Sequence, residues 1–402
     1  MNDNRDHRPI GRELALFSFR QEAPGQAFWL PDGQRLRAAL LDWWRGEHAA
    51  RGYREVLTPQ LYDASLWERS GHMAKYRDQM YLLNGGGPML GLKPMNCPGH
   101  ILVACELLRS YRDLPLRLAE IGHVHRNESS GNRNGLLRAC AFSIDDAHIF
   151  CAPGQLEAEI DACLELAARV HRLFGLEPRV ELSMRPAQRI GDDQLWDSAE
   201  AALERALHRH GIPHDVRAGE GAFYGPKIDL HLSDSLGRSW QLGTIQLDFA
   251  LASRFDLAVA DRDDGRLQPV IVHRAMLGSL ERFIAILLEH TDGRLPVWLA
   301  PVQAVVLPVS DRHLAYAGDA AAALRSVGAR AEPGGSGETL GARIRDAVLR
   351  RVPFVLVAGD REQEQGTVAL REAGGAQRTI PLAAAANEIA AAVRSPAVNS
   401  GV

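Results

Sequence analysis

The chain has 402 residues, of which 46% are apolar and 24% are charged, so its composition is that of a soluble globular protein with two or three domains. This composition excludes a collagen and a disordered chain, and no apolar run reaches the roughly 18 residues that a membrane span needs. The first residues carry both charge signs, unlike a signal or transit peptide. The net charge of −4 gives no global nucleic-acid signature, and five cysteines without a C-x-x-C pair predict a reduced, cytoplasmic protein.

The basic residues of this chain are almost all arginine. Only three of the 46 Lys and Arg residues are lysines, namely Lys75, Lys93 and Lys227. Lysine offers a compact point charge where arginine offers a planar fork. We therefore expect the positions of Lys93 and Lys227 to require the smaller group.

The first predicted elements mix helices and strands. Residues from Gln34 to about Arg51 repeat apolar side chains at helical spacing, and the segment YREVLTPQL predicts a short strand that ends at Pro59. Helices are also predicted over 100–112 and 154–174. Between these two helices, RLAEIGHVHRNE and LLRACAFSIDDAHIF alternate apolar and polar residues, which predicts two strands joined by a loop rich in Gly, Asn and Ser.

Further along the chain, ALERALHRHG and HRAMLGSLERFIAILLEH are predicted to be helices, and KIDLHLSD and SWQLGTIQLDFAL are predicted to be strands. Helices on a largely antiparallel sheet make residues 1–298 an α+β domain. After TDGRLPVWLAP, strands and helices alternate, which predicts a small α/β domain with a partly parallel sheet over residues 299–402. Its Gly-rich PGGSGET is not a P-loop, because no Gly-Lys-Ser/Thr follows.

Three segments occur in a meaningful order: GYREVLTPQL, then HRNE followed by RACAF, then HRAMLGSLERF. This ordered set resembles the three signature motifs of class II aminoacyl-tRNA synthetases. Longer strings, including KPMNCPGHILVACELLRSYRDLPLRLAEIGHVHRNE and GTIQLDFALASRFDL, resemble the threonyl-tRNA synthetases. The resemblance implies a class II catalytic domain over 1–298, an α/β anticodon-binding domain over 299–402, and a homodimer formed through the GYREVLTPQL region. It also implies the activity: activation of threonine with ATP and transfer to tRNA(Thr).

Activation of a carboxylate requires in-line attack on the α-phosphate of ATP, so the protein must spread positive charge over the phosphates, together with Mg²⁺. The resemblance assigns Arg126 to bridging the amino-acid carboxylate and the α-phosphate, a task that suits its planar fork. It assigns Glu128 to the adenine amino group and Arg138 to the γ-phosphate. Two further residues would sandwich the adenine ring, Phe142 and Arg282. Two others would contact the ribose and the adenylate, Gln241 and Thr244.

The spacing of Cys97, His148 and His273 says nothing by itself about a metal. The resemblance maps them onto the zinc ligands of the family, and three protein ligands leave one tetrahedral position open. In the family the amino and hydroxyl groups of threonine fill that position, which rejects valine because valine lacks the hydroxyl. The other contacts implied for the amino acid and the acceptor end come from Asp146, Tyr224, Gln246 and Met95.

For transfer to tRNA, the resemblance makes His72 the general base, a role for which an ordinary histidine pKa near 6.5 is suited. It makes Glu362 and Arg371 anticodon-reading residues.

Four departures from the family pattern stand out. The chain starts at the catalytic core, so we expect no editing in cis. Ile144 stands where the family usually has Gln, Cys140 replaces an Arg, and the segment 333–339 carries Gly337 in place of an Asn. We expect these departures on substrate surfaces. They leave two alternatives open: a specialised paralogue that hands the aminoacyl group to a carrier protein or small molecule, and a regulatory or RNA-binding paralogue without catalysis.

Overall fold

The computed structural model describes residues 5–263, 265–372, 375 and 377–396. The chain forms two compact units. The larger unit contains Phe19–Ala27 and His48–Ile286, and the smaller unit contains the residues up to Ser18, Phe28–Glu47 and the residues from Leu287 onward. Each described helix is too short or too polar to cross a membrane. The division expected between residues 298 and 299 stays a prediction.

The secondary structure alternates short and long elements. The strands are β1 Phe17–Phe19, β2 Ala27–Trp29, β3 Arg54–Glu55, β4 Leu61–Asp63, β5 Leu82–Leu83, β6 Leu90–Leu92, β7 Leu116–His125, β8 Ala141–Cys151, β9 Arg179–Ser183, β10 Asp215–Arg217, β11 Lys227–Ser233, β12 Ser239–Asp248, β13 Val259–Ala260, β14 Arg266–Leu267, β15 Val270–Ala275, β16 Ala304–Pro308, β17 Ala331–Pro333, β18 Phe354–Ala358, β19 Thr367–Glu372 and β20 Gln377–Pro381. The α-helices are α1 His7–Glu13, α2 Pro31–Ala50, α3 Ala64–Arg69, α4 His72–Tyr76, α5 Cys97–Leu107, α6 Leu156–Phe174, α7 Asp193–Arg209, α8 Leu251–Arg254, α9 Leu280–Thr291, α10 Leu314–Ser326, α11 Leu340–Leu349, α12 Asp360–Gln365 and α13 Leu382–Val393.

An eight-stranded sheet forms the centre of the larger unit, in the order β10-β9-β11-β12-β15-β8-β7-β3. The inner pairs are antiparallel, and only the outermost pairs, β10 with β9 and β3 with β7, are parallel. The long strands β7 and β8 pair along ten residues, which confirms the hairpin predicted from their alternation. Helix α6 buries one apolar face against the sheet. The predicted α+β class with an antiparallel sheet is confirmed.

One predicted helix is partly wrong. HRAMLGSLERFIAILLEH begins in β15, and α9 starts only at Leu280. Residues 270–275 hydrogen-bond on both sides, to β12 and to β8, so their backbone groups are satisfied in the sheet. Gly278 then adopts a positive φ of 64°, a conformation that ends the strand and that a Cβ would disfavour. The periodicity of the apolar residues alone cannot locate this break.

The smaller unit contains a five-stranded sheet in the order β17-β16-β18-β19-β20. Its first three strands are parallel and the last two pairings are antiparallel, as the predicted partly parallel sheet requires. One core lies between this sheet and helices α10 and α13, and a second lies on the side of α11. The elements β17, α12 and β20 were not expected from the sequence, because each is short, with three to six residues, and α12 and β20 are also largely exposed.

Candidate active site

A cavity of about 410 Å³ opens on the sheet of the larger unit. Most of the residues that the sequence assigned to ATP, the amino acid and the metal line it. They are Met95, Cys97, Arg126, Glu128, Arg138, Phe142, Asp146, Tyr224, Gln241, Thr244, Gln246, His273 and Arg282. His148 and His72 do not line it, although His148 lies directly beside His273, with ring centroids 4.5 Å apart. Glu362 and Arg371 belong to the smaller unit.

Strand register explains how distant residues meet at this cavity. Gln246 on β12 is paired with His273 on β15, which is paired in turn with His148 on β8. Because side chains alternate along a strand, residues 142, 144, 146 and 148 share one face of β8. On β12 a bulge inserts one residue, so that Gln241 pairs with His231 while Gly243 pairs with Leu230. The bulge brings Gln241 to the same cavity as Thr244, despite their odd spacing.

The three predicted metal ligands come together. Ligand atoms of Cys97, His148 and His273 lie within 4.8 Å of one another, and all three residues are buried. Nε2 of His148 and Nδ1 of His273 have no hydrogen-bond partner among the described residues. An unpaired buried nitrogen costs free energy, which coordination of a cation would remove. Two imidazoles and a thiol are donors that zinc accepts, so these residues fit a zinc ion.

A chain of buried polar groups lies behind His148. Its Nδ1 lies 2.7 Å from Nδ1 of His100, and Nε2 of His100 lies 3.0 Å from Glu120 Oε2. Lys93 Nζ donates to Glu120 Oε1 at 2.8 Å. Burial raises the pKa of Glu120, but the hydrogen bonds from His100 and Lys93 outweigh it and lower the pKa to about 2. Glu120 is therefore ionised and accepts a hydrogen bond from Nε2–H of His100.

This acceptor fixes the protons along the chain of rings. A neutral His100 that donates from Nε2 accepts at Nδ1, so His148 must donate from its own Nδ1. The lone pair of His148 is then on Nε2, the nitrogen without a partner. His273 is arranged in the same way, because its Nε2 lies 2.9 Å from Asp248 Oδ2 and its Nδ1 is left as the free lone pair. Burial raises the pKa of the Cys97 thiol, whereas a bound cation would favour the thiolate.

The sequence did not single out His100, Glu120 or Asp248, but it did single out Lys93 and Lys227. Lys93 is buried and donates to Thr58 Oγ1 at 2.9 Å as well as to Glu120. Lys227 pairs with Asp229, a buried carboxylate that also accepts from Thr244 Oγ1 at 3.0 Å. Both lysines therefore pair with buried carboxylates, and the expectation that these positions need a compact cation stays a prediction.

Three arginines line the part of the cavity that is expected to bind the nucleotide, namely Arg126, Arg138 and Arg282. The guanidinium of Arg126 lies 5.2 Å from the centre of the Phe142 ring, and its Nε donates to Pro94 O at 3.2 Å. Burial lowers the pKa of Arg126 from its ordinary value. Arg138 donates from Nε to Glu128 Oε2 at 3.0 Å. The residues expected to contact adenine and the γ-phosphate are thus paired with each other here.

Arg282 is held by main-chain oxygens, with its Nε 2.8 Å from Leu137 O. Its guanidinium lies 5.4 Å from the ring centre of Trp240, whereas Phe142 is covered by Arg126. Burial, together with the charges of Arg126 and Arg138, lowers the pKa of Arg282 to about 10. The three positive charges repel one another, and an anionic ligand bound between them would reduce this repulsion.

The opposite end of the cavity carries polar groups that hold each other in place. Tyr224 donates its hydroxyl proton to Gln246 Oε1 at 2.7 Å, and Gln246 Nε2 lies 3.0 Å from Thr244 Oγ1. Asn96 Nδ2 donates to Asp146 Oδ2 at 3.0 Å. Burial raises the pKa of Asp146. Asn96 is a further residue that sequence reasoning missed.

His72 differs from expectation. It is fully buried, and burial, aided by His273 and Arg254, lowers its pKa to about 3, so the expected pKa near 6.5 is wrong. Ser70 donates its hydroxyl proton to Trp67 O at 3.3 Å, so its Oγ accepts from His72 Nδ1 at 2.8 Å. The basic nitrogen of His72 is therefore Nε2, which has no partner among the residues described. The ring of Tyr76, a cavity-lining residue, stacks on His72 at 6.0 Å.

The departures from the family pattern fall in different places. Ile144 lines the cavity, as expected of a substrate surface. Cys140 does not line the cavity and is buried, with its Sγ 3.8 Å from Glu128 O, so the expectation fails there. Its main-chain N–H donates to Gly25 O, and a Cβ on Gly25 would lie 2.6 Å from the sulfur. The side chain of residue 140 therefore packs closely against the backbone of Gly25 and does not face the cavity.

Sequence models of known families match both parts of the chain. The model "tRNA synthetase class II core domain (G, H, P, S and T)" matches residues 84–291, the part that holds the cavity. The model "Anticodon binding domain" matches residues 303–392. A class II synthetase core with an anticodon-binding domain is thus the class that this fold defines.

Individual relatives narrow the class. The threonine–tRNA ligase of Halorhodospira halophila is 50% identical over 374 residues, 93% of this chain, and that of Carboxydothermus hydrogenoformans is 48% identical over 370 residues, 92% of this chain. The chain spans 58% of the length of each of these two relatives. A crystal structure of the "RNA binding domain of Threonyl-tRNA synthetase" from Cryptosporidium parvum Iowa II is 40% identical with a TM-score of 0.94, over 98% of this chain and 100% of that one. A putative threonyl-tRNA synthetase from Aeropyrum pernix is 32% identical with a TM-score of 0.84, over 97% of this chain and 96% of that one. The chain belongs to the threonyl-tRNA synthetase family.

Proposed function

We propose that this chain activates threonine with ATP and transfers the threonyl group to tRNA. The observation that carries the proposal is the meeting, in one cavity, of Cys97 and His273 with the guanidinium of Arg126. A metal site beside a buried cation suits a substrate that carries both a hydroxyl group and a carboxylate. Relatives with the name threonine–tRNA ligase support the same substrate.

The arginines supply the charge that activation needs. A carboxylate oxygen of threonine attacks the α-phosphorus of ATP, a P–O bond forms, and pyrophosphate leaves with the bonding electrons. Arg126 would hold the carboxylate and the α-phosphate through its planar fork, and Arg138 and Arg282 would bind the outer phosphates and the adenine, with Mg²⁺ accompanying the nucleotide. The partly buried guanidiniums of Arg126 and Arg282 already donate to main-chain oxygens, so the protein holds both before the nucleotide binds.

Cys97, His148 and His273 would hold zinc. When bound, zinc supplies a Lewis acid that accepts the amino and hydroxyl groups of the amino acid. His100 orients the imidazole of His148, and Asp248 orients that of His273. Asn96 donates to Asp146, which would accept a hydrogen bond from the substrate hydroxyl. Apolar contacts alone would distinguish threonine from valine by only about 10–200-fold, so an oxygen-seeking site accounts for the selectivity.

His72 is proposed as the base that takes the proton of the terminal ribose of tRNA. Its Nε2 is the unprotonated nitrogen, but the low pKa of the ring makes it a weak base. Tyr76 lines the cavity and its ring stacks on that of His72, so we expect the transfer step to require movement of Tyr76. In the smaller unit, Glu362 caps the start of α12 and Arg371 is exposed on β19, and both are proposed to read the anticodon.

We also propose a cytoplasmic homodimer. All five cysteines are free, as in a reducing compartment. The strand β3 is the edge of the eight-stranded sheet, and Leu57, just beyond it, is 88% exposed. An apolar side chain at an open sheet edge suits contact with a second copy of the chain.

Two observations favour an acceptor of the aminoacyl group other than tRNA. Ile144 lies in the cavity wall. In the loop 334–339, Arg343 donates hydrogen bonds to the carbonyl oxygens of Gly335 and Glu338. These changes suit a paralogue that transfers the aminoacyl group to a carrier protein or small molecule. The test is ATP–pyrophosphate exchange across the amino acids, followed by transfer of labelled threonine to bulk tRNA. If threonine supports pyrophosphate exchange and the tRNA becomes labelled, the result supports a threonine–tRNA ligase. If threonine supports exchange but the tRNA stays unlabelled, the result favours transfer to a carrier protein or small molecule.

A further inference from the structure

A second cluster of metal-binding side chains lies away from the cavity, at the end of α7. Ligand atoms of Glu204, His208 and His214 lie within 4.8 Å of one another, and the rings of His208 and His214 are 5.6 Å apart between centroids. None of these residues lines the cavity described above. We propose that Glu204, His208 and His214 form a second binding site for a divalent transition-metal ion such as Zn²⁺.

Local folding explains why the three residues meet. Glu204 and His208 are four residues apart on α7, so they lie on the same face one turn from each other. Gly211, with a positive φ of 61°, reverses the chain, and Ile212 N donates to Leu207 O at 3.0 Å. His214 then immediately precedes β10, which pairs with β9, so its backbone is anchored by the sheet.

His214 carries its proton on Nδ1, so its other ring nitrogen, Nε2, can bind a metal ion. Its Nδ1 lies 3.1 Å from Ile212 O, and a carbonyl oxygen can only accept, so Nδ1 carries the hydrogen. In the neutral ring the lone pair is therefore on Nε2. A main-chain carbonyl that holds the second nitrogen is the usual support of a metal-binding histidine.

The carboxylate of Glu204 is also available. The neighbouring arginines are directed to acidic residues of α6, since Arg205 pairs with Glu157 at 2.8 Å and Arg209 with Asp161 at 2.9 Å. Within the described parts of the chain, Glu204 has neither an ion pair nor a hydrogen bond. A cation could therefore pair with the carboxylate of Glu204 without displacing another group.

The donor set defines the class of ion. Two imidazoles and one carboxylate suit zinc and similar ions, whereas magnesium and calcium prefer oxygen ligands alone. Zinc lies about 2.0–2.2 Å from each donor, so a small adjustment of the side chains would complete the site. His208 is exposed and free to rotate, so this adjustment and the entry of the ion need no change in the core. The bound ion would tie the end of α7 to the turn that leads into β10.

The test uses the full chain without a polyhistidine tag, stripped with a chelator and then titrated with Zn²⁺ by equilibrium dialysis and elemental analysis. We expect the wild-type chain to bind one equivalent more than the His208→Ala variant, and Glu204→Gln to weaken that equivalent by about tenfold or more, as for loss of one ligand contact. His210→Ala is the matched control, because His210 ends the same helix but lies 3.1 Å from Asp161 instead. It should bind as the wild type does.

Two readouts separate this site from the one that contains Cys97. With Co²⁺, only the cysteine site gives thiolate-to-metal absorption, so that band should persist in His208→Ala. Hydrogen exchange of the segment 210–217 should slow on addition of Zn²⁺ in the wild type and in His210→Ala, but not in His208→Ala. The proposal is overturned if His208→Ala and His210→Ala bind the same number of zinc ions, or if exchange in this segment is indifferent to zinc.

Discussion

The Nδ1 atoms of His100 and His148 lie 2.7 Å apart in the interior of the larger unit, so only one of them carries a proton. Glu120 decides which, because it accepts a hydrogen bond from Nε2–H of His100, so that Nδ1 of the neutral His100 ring is an acceptor. The carboxylate, itself paired with Lys93, thereby directs the lone pair of His148 toward Cys97 and His273 without touching either of them. The proposed zinc site is thus oriented by a chain of hydrogen bonds that runs from His148 through His100 and Glu120 to Lys93.

Replacement of His100 by phenylalanine tests this arrangement. The variant removes the acceptor of His148 Nδ1, so the imidazole loses its orientation and its preferred tautomer. We expect zinc affinity at the cysteine site to fall by about 10–100-fold. The measurement is chelator competition in a His208→Ala background, which removes the second proposed site. His171→Phe is the control, because His171 is also buried and the one hydrogen bond of its ring among the described residues is to Ala167 O. Equal affinities in the two variants would contradict the arrangement.

Selectivity among amino acids is the next expectation. Serine also offers an amino group and a hydroxyl, and differs from threonine only by one methyl group. Activation of serine should therefore lie within about 10²–10³-fold of threonine, and activation of valine should be barely measurable. The ratio of kcat/KM in pyrophosphate exchange gives the answer. If valine is activated as well as serine, the pocket selects by size and not through an oxygen ligand.

The buried His72 predicts a pH dependence of stability. Its pKa is about 3 in the folded chain and 6.5 as the ordinary value, so below pH 6.5 the unfolded chain binds a proton that the folded chain does not. Stability therefore falls as the pH drops through this window. Between about pH 7.5 and pH 5.5 the wild type should lose about 1.4 kcal/mol more than His72→Asn. Urea unfolding in the presence of chelator measures both, and parallel pH profiles would refute the expectation.

The same substitution separates the two chemical steps. If His72 takes the ribose proton, His72→Asn should leave threonine-dependent pyrophosphate exchange within about twofold and slow single-turnover transfer to tRNA by about 10²–10⁴-fold. Ser70→Ala, which removes only the hydroxyl that accepts from Nδ1, should have a smaller effect on transfer. Unchanged transfer in His72→Asn would assign the proton to another group.

Much of the fold could be predicted because alternation and helical spacing are local properties. The pairing of β7 with β8 and the shared face of residues 142, 144, 146 and 148 follow from a period of two. The bulge at β12 and the break at Gly278 could not be predicted, because both depend on what the neighbouring strands hydrogen-bond. Cys97 and His148 lie 51 positions apart, so only the three-dimensional register brings them together. His100 and Glu120 were missed for the same reason.

Two cysteine variants of one helix test directly whether activation of threonine depends on zinc held by Cys97. Cys97→Ala removes a proposed zinc ligand, whereas Cys105→Ala removes a half-buried thiol farther along α5. We predict that the wild type and Cys105→Ala contain zinc at the cysteine site and show threonine-dependent pyrophosphate exchange, and that Cys97→Ala loses both while keeping its fold by circular dichroism. A Cys97→Ala chain that lacks zinc but still shows threonine-dependent pyrophosphate exchange at the wild-type rate would show that threonine activation does not need this zinc ion.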